Sequence, residues 1–454
     1  MAIMRKIAVV GSGQAGLLAA HALRQAGYEI ELYSDRSADD WLAHGRPTGT
    51  AVRFARSLAY ERRLGLSHGH AEAPRMDGLQ VTICSHPGKP LLGLRARFAE
   101  SPLAIDLRLQ SACWLRELER AGGRVRIETV SAARIDEIAR ANDLTIVATG
   151  KEGGALFARD PRRSPCDAPV RQLAMVNCEG PAMRFADVPF AAAKFNVLDG
   201  LGECYWTPYF HKDGRPVWNL VFEARPGTAY DRFGGARSGA EVLQIAKQVV
   251  RDMLPWDHAW LEHATLADEH SWLIGAITPT VRDPIGRVPS GRPVVPLGDA
   301  YAAFDPLGAQ GANMGNRLAE ALTSAIIARG DQPFDAGWIQ SVYEPFYTRW
   351  AGPAMRWTHL LLEPMGLAAR YLLLAQHGAD GATIGGTPKQ RIADAFAATF
   401  DDPSTLVDTL TDLRRTRRRV AELAGTTPDW DVAKRFFAVG ARQLRNTLAR
   451  PAAW

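Results

Sequence analysis

Cysteine is scarce in this chain. Five occur in 454 residues (Cys84, Cys113, Cys166, Cys178 and Cys204), and no two are spaced as CxxC. That pattern excludes a zinc ribbon or thioredoxin-type motif and reads as reduced thiols in a cytoplasmic protein. Long hydrophobic runs are also missing. The most apolar stretch, 359–376, is interrupted by Glu363, Pro364 and Arg370, so no membrane span is expected. Residues 1–6 lead directly into an apolar strand, which leaves no room for a secretory leader. His68-Gly69-His70 has no third ligand beside it, and no metal is expected there. No nucleophile elbow and no Cys–His arrangement is read. The net charge of +5 sits in the tail: residues 411–454 carry ten basic and four acidic side chains, leaving the other 410 residues at −1. This basic run lacks interleaved aromatics, so nucleic acid is not an expected partner. It reads as a solvated helical tail, with an acidic partner protein as the alternative.

What the chain does have begins at Ile7-Ala8-Val9-Val10, which runs into Gly11-Ser12-Gly13-Gln14-Ala15-Gly16 and then a helical stretch, 17–26. A strand, a GxGxxG turn and a helix make a cradle for a dinucleotide pyrophosphate. Gly11 makes the tight turn, Gly13 lets the backbone approach the phosphates, and Gly16 lets helix and strand pack closely. The helix N-terminus offers free N–H groups to the anion. A second strand, 29–34, ends at Ser34-Asp35-Arg36. Asp35 lies 24 residues after Gly11, the distance at which an acid meets the adenosine ribose.

Further along, 37–100 reads as irregular apart from a short helix near 54–64, and 103–122 reads as helix. Residues 143–150 form a buried strand ending in Thr149-Gly150. The region 170–235 is broken into short β-rich pieces, a mostly antiparallel sheet. Its aromatics Trp206, Tyr209, Phe210, Trp218 and Phe222 read as core, with one or two facing a pocket. Helix is expected over 238–253, strands near 272–285 and 293–297, helix over 310–329, and further helices to 449.

A second glycine motif follows the strand 294–297. Gly298-Asp299 precedes Asp305-Pro306-Leu307-Gly308-Ala309-Gln310-Gly311-Ala312-Asn313-Met314. In a flavoprotein, Asp299 would accept hydrogen bonds from ribityl hydroxyls. A helix starting near Gly311 would point its positive end at the flavin edge that becomes negative on reduction.

These two motifs resemble the FAD-dependent aromatic-hydroxylase superfamily. Within it, the chain resembles the oxygenase subunit of two-component styrene and indole monooxygenases over about residues 5–410. The likeness also rests on Tyr33-Ser34-Asp35-Arg36, Asp106-Leu107-Arg108-Leu109-Gln110, Ala148-Thr149-Gly150-Lys151 and Arg356-Trp357-Thr358. The stretch 48–54, the order of Leu307-Gly308-Ala309 and the basic tail depart from the family pattern.

The resemblance implies an α/β fold: a glutathione-reductase-like Rossmann FAD domain (1–165 and 286–335), an inserted, mostly antiparallel β-sheet substrate domain (166–285), and a helical C-terminal region (336–454). It implies FAD as cofactor, held by Gly11–Gly16, Ser34–Arg36, Arg108, Thr149, Gly150, Gly298, Asp299, Pro306, Gly311, Ala312 and Asn313. Arg108 would approach the pyrophosphate or ribityl chain. Oxygen would be transferred from a C4a-(hydro)peroxyflavin to a small apolar aromatic substrate, with few or no protein acid–base residues in that step. Thr50 and Pro306 would line the substrate space. Reduced FAD would come from a separate NAD(P)H-flavin reductase. Homodimerisation is left open. Two alternatives stand beside this reading: a single-component NAD(P)H-dependent hydroxylase, and a non-catalytic FAD-binding protein.

Overall fold

The computed structural model describes residues 5–150 and 154–448. Lys151 therefore lies outside the described residues. Five parallel strands form the first sheet, in the order Val294–Pro296, Leu144–Val147, Lys6–Val10, Glu29–Ser34, Arg124–Ile127. The central strand is apolar on both faces because both are covered. Ile7 and Val9 join Leu17, Leu18 and Leu23 of helix Gln14–Gln25 and Leu318, Leu322 and Ile326 of helix Gly311–Arg329. Ala8 and Val10 face the other way, toward Ile138 of helix Ala132–Ala141. The two-residue period of the strand thus builds two separate clusters.

The second sheet has eight strands. Its path runs Thr265–Leu266, Gln172–Glu179, Pro216–Ala224, Gly202–Phe210, Ala192–Leu198, Gly78–His86, Lys89–Arg97, and Trp272–Gly275 also pairs with Gln172–Glu179. All pairings are antiparallel except Ala192–Leu198 with Gly78–His86. The last two strands of the path come from the segment read as irregular. They form a hairpin that turns at Gly88, which has φ +69°.

One face of this sheet packs Trp206, Trp218, Leu220 and Phe222 on Val242, Ala246, Val249 and Val250 of helix Gly239–Met253. The C-terminal helices Leu367–Gln376, Pro388–Ala398 and Leu413–Ala424 cover Leu79, Val81, Leu94 and Ala96. This covering leaves a cavity between the two sheets and the turn 305–310. No described helix is long and apolar enough to cross a membrane.

Candidate functional site

The N-terminal turn is built as its glycines require. Gly11 has φ +116°, and a Cβ there would lie 2.9 Å from the Ala148 carbonyl carbon. At Gly16 an added Cβ would strike the Gly11 carbonyl oxygen and lie 3.1 Å from the Ala148 methyl. Gly13 differs: a Cβ would meet no atom within 4 Å, because this residue opens on the cavity. Helix Gln14–Gln25 follows an extended Gly13 with no side chain capping its first turn. Its leading N–H groups are thus available to an anion.

Ser12 and Ser34 are buried and joined at 2.6 Å, and Trp41 Nε1 donates to Ser12 at 3.2 Å. They hold the strand ends together. Asp35 is exposed at the end of its strand, paired with Arg36 at 3.5 Å.

The second glycine motif lies opposite. Gly298 has φ +61°. The Asp299 carboxyl sits between two glycines: a Cβ at Gly150 would lie 3.5 Å from the Asp299 Cβ, and one at Gly311 would lie 3.9 Å from its Oδ1. The side chain can be touched by water from the cavity yet is walled by protein, and this enclosure raises its pKa above the usual value, opposed by Arg282. No described residue donates a hydrogen bond to that carboxylate, whereas Arg282 Nη1 donates to the Asp299 carbonyl at 2.9 Å.

Asp305 caps the turn Pro306–Gly308 through Leu307 N at 3.1 Å. Two non-glycine residues have left-handed backbones among the described residues, Ala51 (φ 49°) and Ala309 (φ 53°). Both line the cavity, one on each wall.

A single cavity of about 370 Å³ joins these parts. Of the residues singled out from sequence, it is lined by Gly13, Gln14, Ala15, Thr50, Gly150, Gly298, Asp299, Pro306, Gly311 and Ala312. Its far end is an apolar lobe of Phe54, Met76, Leu79, Phe98, Phe195 and Phe400. Phe54 lies 5.7 Å from Phe98 and 6.1 Å from Phe400, and Phe195 stacks on Tyr205 at 4.7 Å, 14° from parallel.

Gly11, Ser12, Gly16, Ser34, Asp35, Arg36, Arg108, Thr149 and Asn313 do not line this cavity. Arg108 is fully buried elsewhere. Its guanidinium meets Asp106 at 2.7 Å and Asp268 at 3.0 Å, and donates to Ser271 at 3.1 Å. His211 Nε2 lies 2.6 Å from the same Asp268. Burial opposes ionisation of Asp268, but hydrogen bonds from His211, Arg108 and Ser271 hold it well below the usual carboxylate range. On the same helix, Leu107 and Ser111 do face the cavity, one turn apart.

Asn313 uses all four of its side-chain hydrogen bonds on protein. Oδ1 accepts from Phe54 N at 3.1 Å and Ser57 Oγ at 2.8 Å. Nδ2 donates to the carbonyls of Val52 and Ala309, both at 2.8 Å. It clips one cavity wall to the other.

The sequence reading missed three features. The first is the apolar lobe, drawn from segments hundreds of residues apart. The second is the buried chain from Gln14 through Asn316 and Glu61 to Arg53. Third, the aromatics Trp206, Tyr209, Phe210, Trp218 and Phe222 do not line the cavity. Tyr205 and Thr207 do, on the face of the pleat opposite Trp206, Phe210, Trp218 and Phe222, while Tyr209 shares the face of Tyr205 and Thr207 outside the cavity. GxSxG spacing does occur at 65–69, but it follows helix Ala55–Arg63 instead of a strand, and Ser67 is exposed. It has no elbow geometry. His68 and His70 pair with Glu117 (3.0 Å) and Glu61 (2.9 Å).

Comparison with known proteins agrees with this geometry. Residues 150–259 match the family described as "Styrene monooxygenase A putative substrate binding domain". Styrene monooxygenase StyA of Pseudomonas fluorescens is 25% identical over 408 residues, 88% of this chain and 93% of that protein. StyA of a Pseudomonas species is 25% identical over 432 residues, 93% of this chain and 99% of that protein. Among solved structures, p-nitrophenol 4-monooxygenase PnpA of Pseudomonas putida superposes with a TM-score of 0.58 at 16% identity, covering 92% of this chain and 99% of that one. The chain is thus similar to styrene monooxygenase over most of its length and shares the fold of flavin-dependent oxygenases. These likenesses indicate FAD as the cofactor.

Proposed function

We propose that this chain is a flavin-dependent monooxygenase that transfers one oxygen atom from O2 to a small apolar aromatic substrate of the styrene or indole type, using reduced FAD delivered by a separate NAD(P)H-flavin reductase. The observation that carries the reading is the continuity of the cavity, from two glycine-lined helix starts into an aromatic lobe with no charged side chain among the six residues named above.

Bound reduced FAD would supply the activation of O2 that no side chain provides. The chain's own residues would hold and shield it. The uncapped N–H groups after Gly13 suit the pyrophosphate. Asp299, open to the cavity and without a hydrogen-bond donor among the described residues, suits the ribityl hydroxyls. The N-terminus of helix Gly311–Arg329, whose Gln310 supplies no side-chain cap, suits the electron-rich edge of the ring. Asp35 suits the adenosine ribose. Thr50 and Pro306 would border the reacting face, and the apolar lobe would hold the substrate ring and exclude water.

The test uses the purified full chain. Given enzymatically reduced FAD, air and a panel of styrene, indole and thioanisole, it should yield epoxide, indigo or sulfoxide. NADH consumption by the chain alone would overturn the two-component reading in favour of a single-component hydroxylase. Bound FAD with no product from any aromatic would favour a non-catalytic flavin protein.

A further inference from the structure

Three carboxyl groups and one guanidinium are buried beside Tyr205, on the sheet face that carries it. Glu203 and Glu223 face each other across neighbouring antiparallel strands. Asp305 comes up to Glu223 from the turn that leads into Pro306, whose Leu307 packs with Tyr205 and Val221 of the same sheet face, and the two carboxyls act on each other's ionisation. Arg171 is the cation of the group. Its Nε lies 2.7 Å from Glu203 Oε2 and its Nη2 lies 3.0 Å from Oε1, while Nη2 also donates to the Leu362 carbonyl at 3.1 Å. Arg225 acts on Glu203 from further away. Glu223 is 0% and Asp305 1% exposed.

The donors do not suffice for two ionised carboxylates. Tyr205 Oη donates to Glu223 Oε1 at 3.0 Å, and Leu307 N donates to Asp305 Oδ1 at 3.1 Å. Among the described residues, Glu223 Oε2 and Asp305 Oδ2 have no N–H or O–H donor. Arg171 is satisfied by Glu203 in a two-bond fork, so Glu223 and Asp305 have no cation of their own. Two negative charges in contact in a buried site cannot both persist; one proton between them removes the conflict.

We propose that Glu223 and Asp305 share a single proton and act as one unit that positions the Pro306–Gly308 turn at the edge of the cavity. Asp305 is the cap of that turn, and Pro306 lines the cavity. Tyr205, on the Glu223 side, stacks on Phe195 of the neighbouring strand, its cross-strand partner on the same face. The shared proton therefore ties the turn to the sheet. Burial, and for Glu223 the adjacent Asp305, raise the pKa of both groups. A carboxyl that binds its proton more tightly folded than unfolded contributes stability at low pH that is lost as pH rises through the folded pKa. The loss of that proton sets Asp305 against Glu223 and loosens the turn.

The experiment needs no turnover, so it stands apart from the oxygen-transfer reading; only its second arm uses FAD. Infrared spectra of the full chain without added FAD should show a protonated carboxylic acid at neutral pH. Glu223→Gln and Asp305→Asn should each abolish that band, because an amide N–H replaces the shared proton; if one variant fails to fold, the other carries the test. In the second arm, wild-type affinity for FAD should fall with rising pH, by up to about tenfold per pH unit once the proton is lost. Glu223→Gln should bind FAD with a flat profile. The proposal is overturned if the band is absent at neutral pH, if it survives in both variants, or if Glu223→Gln keeps the wild-type pH profile.

Discussion

Replacing Asn313 by alanine should separate a structural clip from a cofactor ligand. The native side chain makes four hydrogen bonds, all to residues 52–57 and 309, and is fully buried. Each is worth about 1 kcal/mol net, and the groups left behind are buried. Allowing for partial relaxation, Asn313→Ala should cost about 3 kcal/mol of stability. Affinity for FAD should fall as well, because the walls carrying Ala51 and Ala309 are no longer held together. Asn313→Asp should be at least as damaging: it keeps the acceptor for Phe54 N but turns a second oxygen toward the Val52 and Ala309 carbonyls. The assay is urea unfolding followed by tryptophan fluorescence, read as a shift of midpoint at constant slope, with FAD titration on the same samples. If Asn313→Ala leaves the midpoint unchanged and still abolishes FAD binding, the clip argument is wrong and Asn313 is a direct ligand.

Further outcomes follow from the same geometry. Gly13→Leu should fold normally, having open space at its Cβ, but weaken FAD binding in titration; Gly11→Ala, strained and against Ala148, should lose about 1–3 kcal/mol of stability in unfolding experiments. Arg108→Ala should leave Asp106 and Asp268 buried without their cation and cost about 3–5 kcal/mol, while the folded fraction still binds FAD normally; a normal midpoint with lost FAD affinity would instead make Arg108 a ligand. Asp268, with its pKa held low in the fold, stabilises the protein above its unfolded value and loses that contribution as pH falls; Asp268→Asn should flatten the acid side of the stability profile measured by thermal unfolding.

Both glycine motifs were legible because their signals are local. An apolar run, a glycine at a set spacing and a helical stretch are enough to specify a strand–turn–helix, and Gly11 and Gly16 hold contacts that no other residue fits. The hairpin at 78–97 was harder to read. Leu79, Val81 and Ile83 do alternate with Gln80 and Thr82, but Pro87, Gly88, Pro90 and Gly93 make the segment look irregular. Its partner, Ala192–Leu198, lies more than a hundred residues away.

The apolar lobe had no local signature either. Phe54, Phe98 and Phe400 look like ordinary core residues until the C-terminal helices close over the sheet. Strand periodicity puts Trp206 and Tyr205 on opposite faces, but which face meets the cavity depends on where helix Gly239–Met253 docks. Arg108 was read from a helix that does reach the cavity, yet Leu107 and Ser111 occupy its cavity-facing side. Asp106, the cap of that helix, binds the Arg108 guanidinium together with Asp268.

The most direct test of the whole account is a single turnover with heavy-isotope dioxygen. The full chain is loaded anaerobically with chemically reduced FAD and styrene, then mixed with labelled O2. The account predicts an epoxide carrying one labelled oxygen atom, formed without reductase or NAD(P)H. Unlabelled epoxide, or reoxidised flavin and hydrogen peroxide with no oxygenated product, would contradict it.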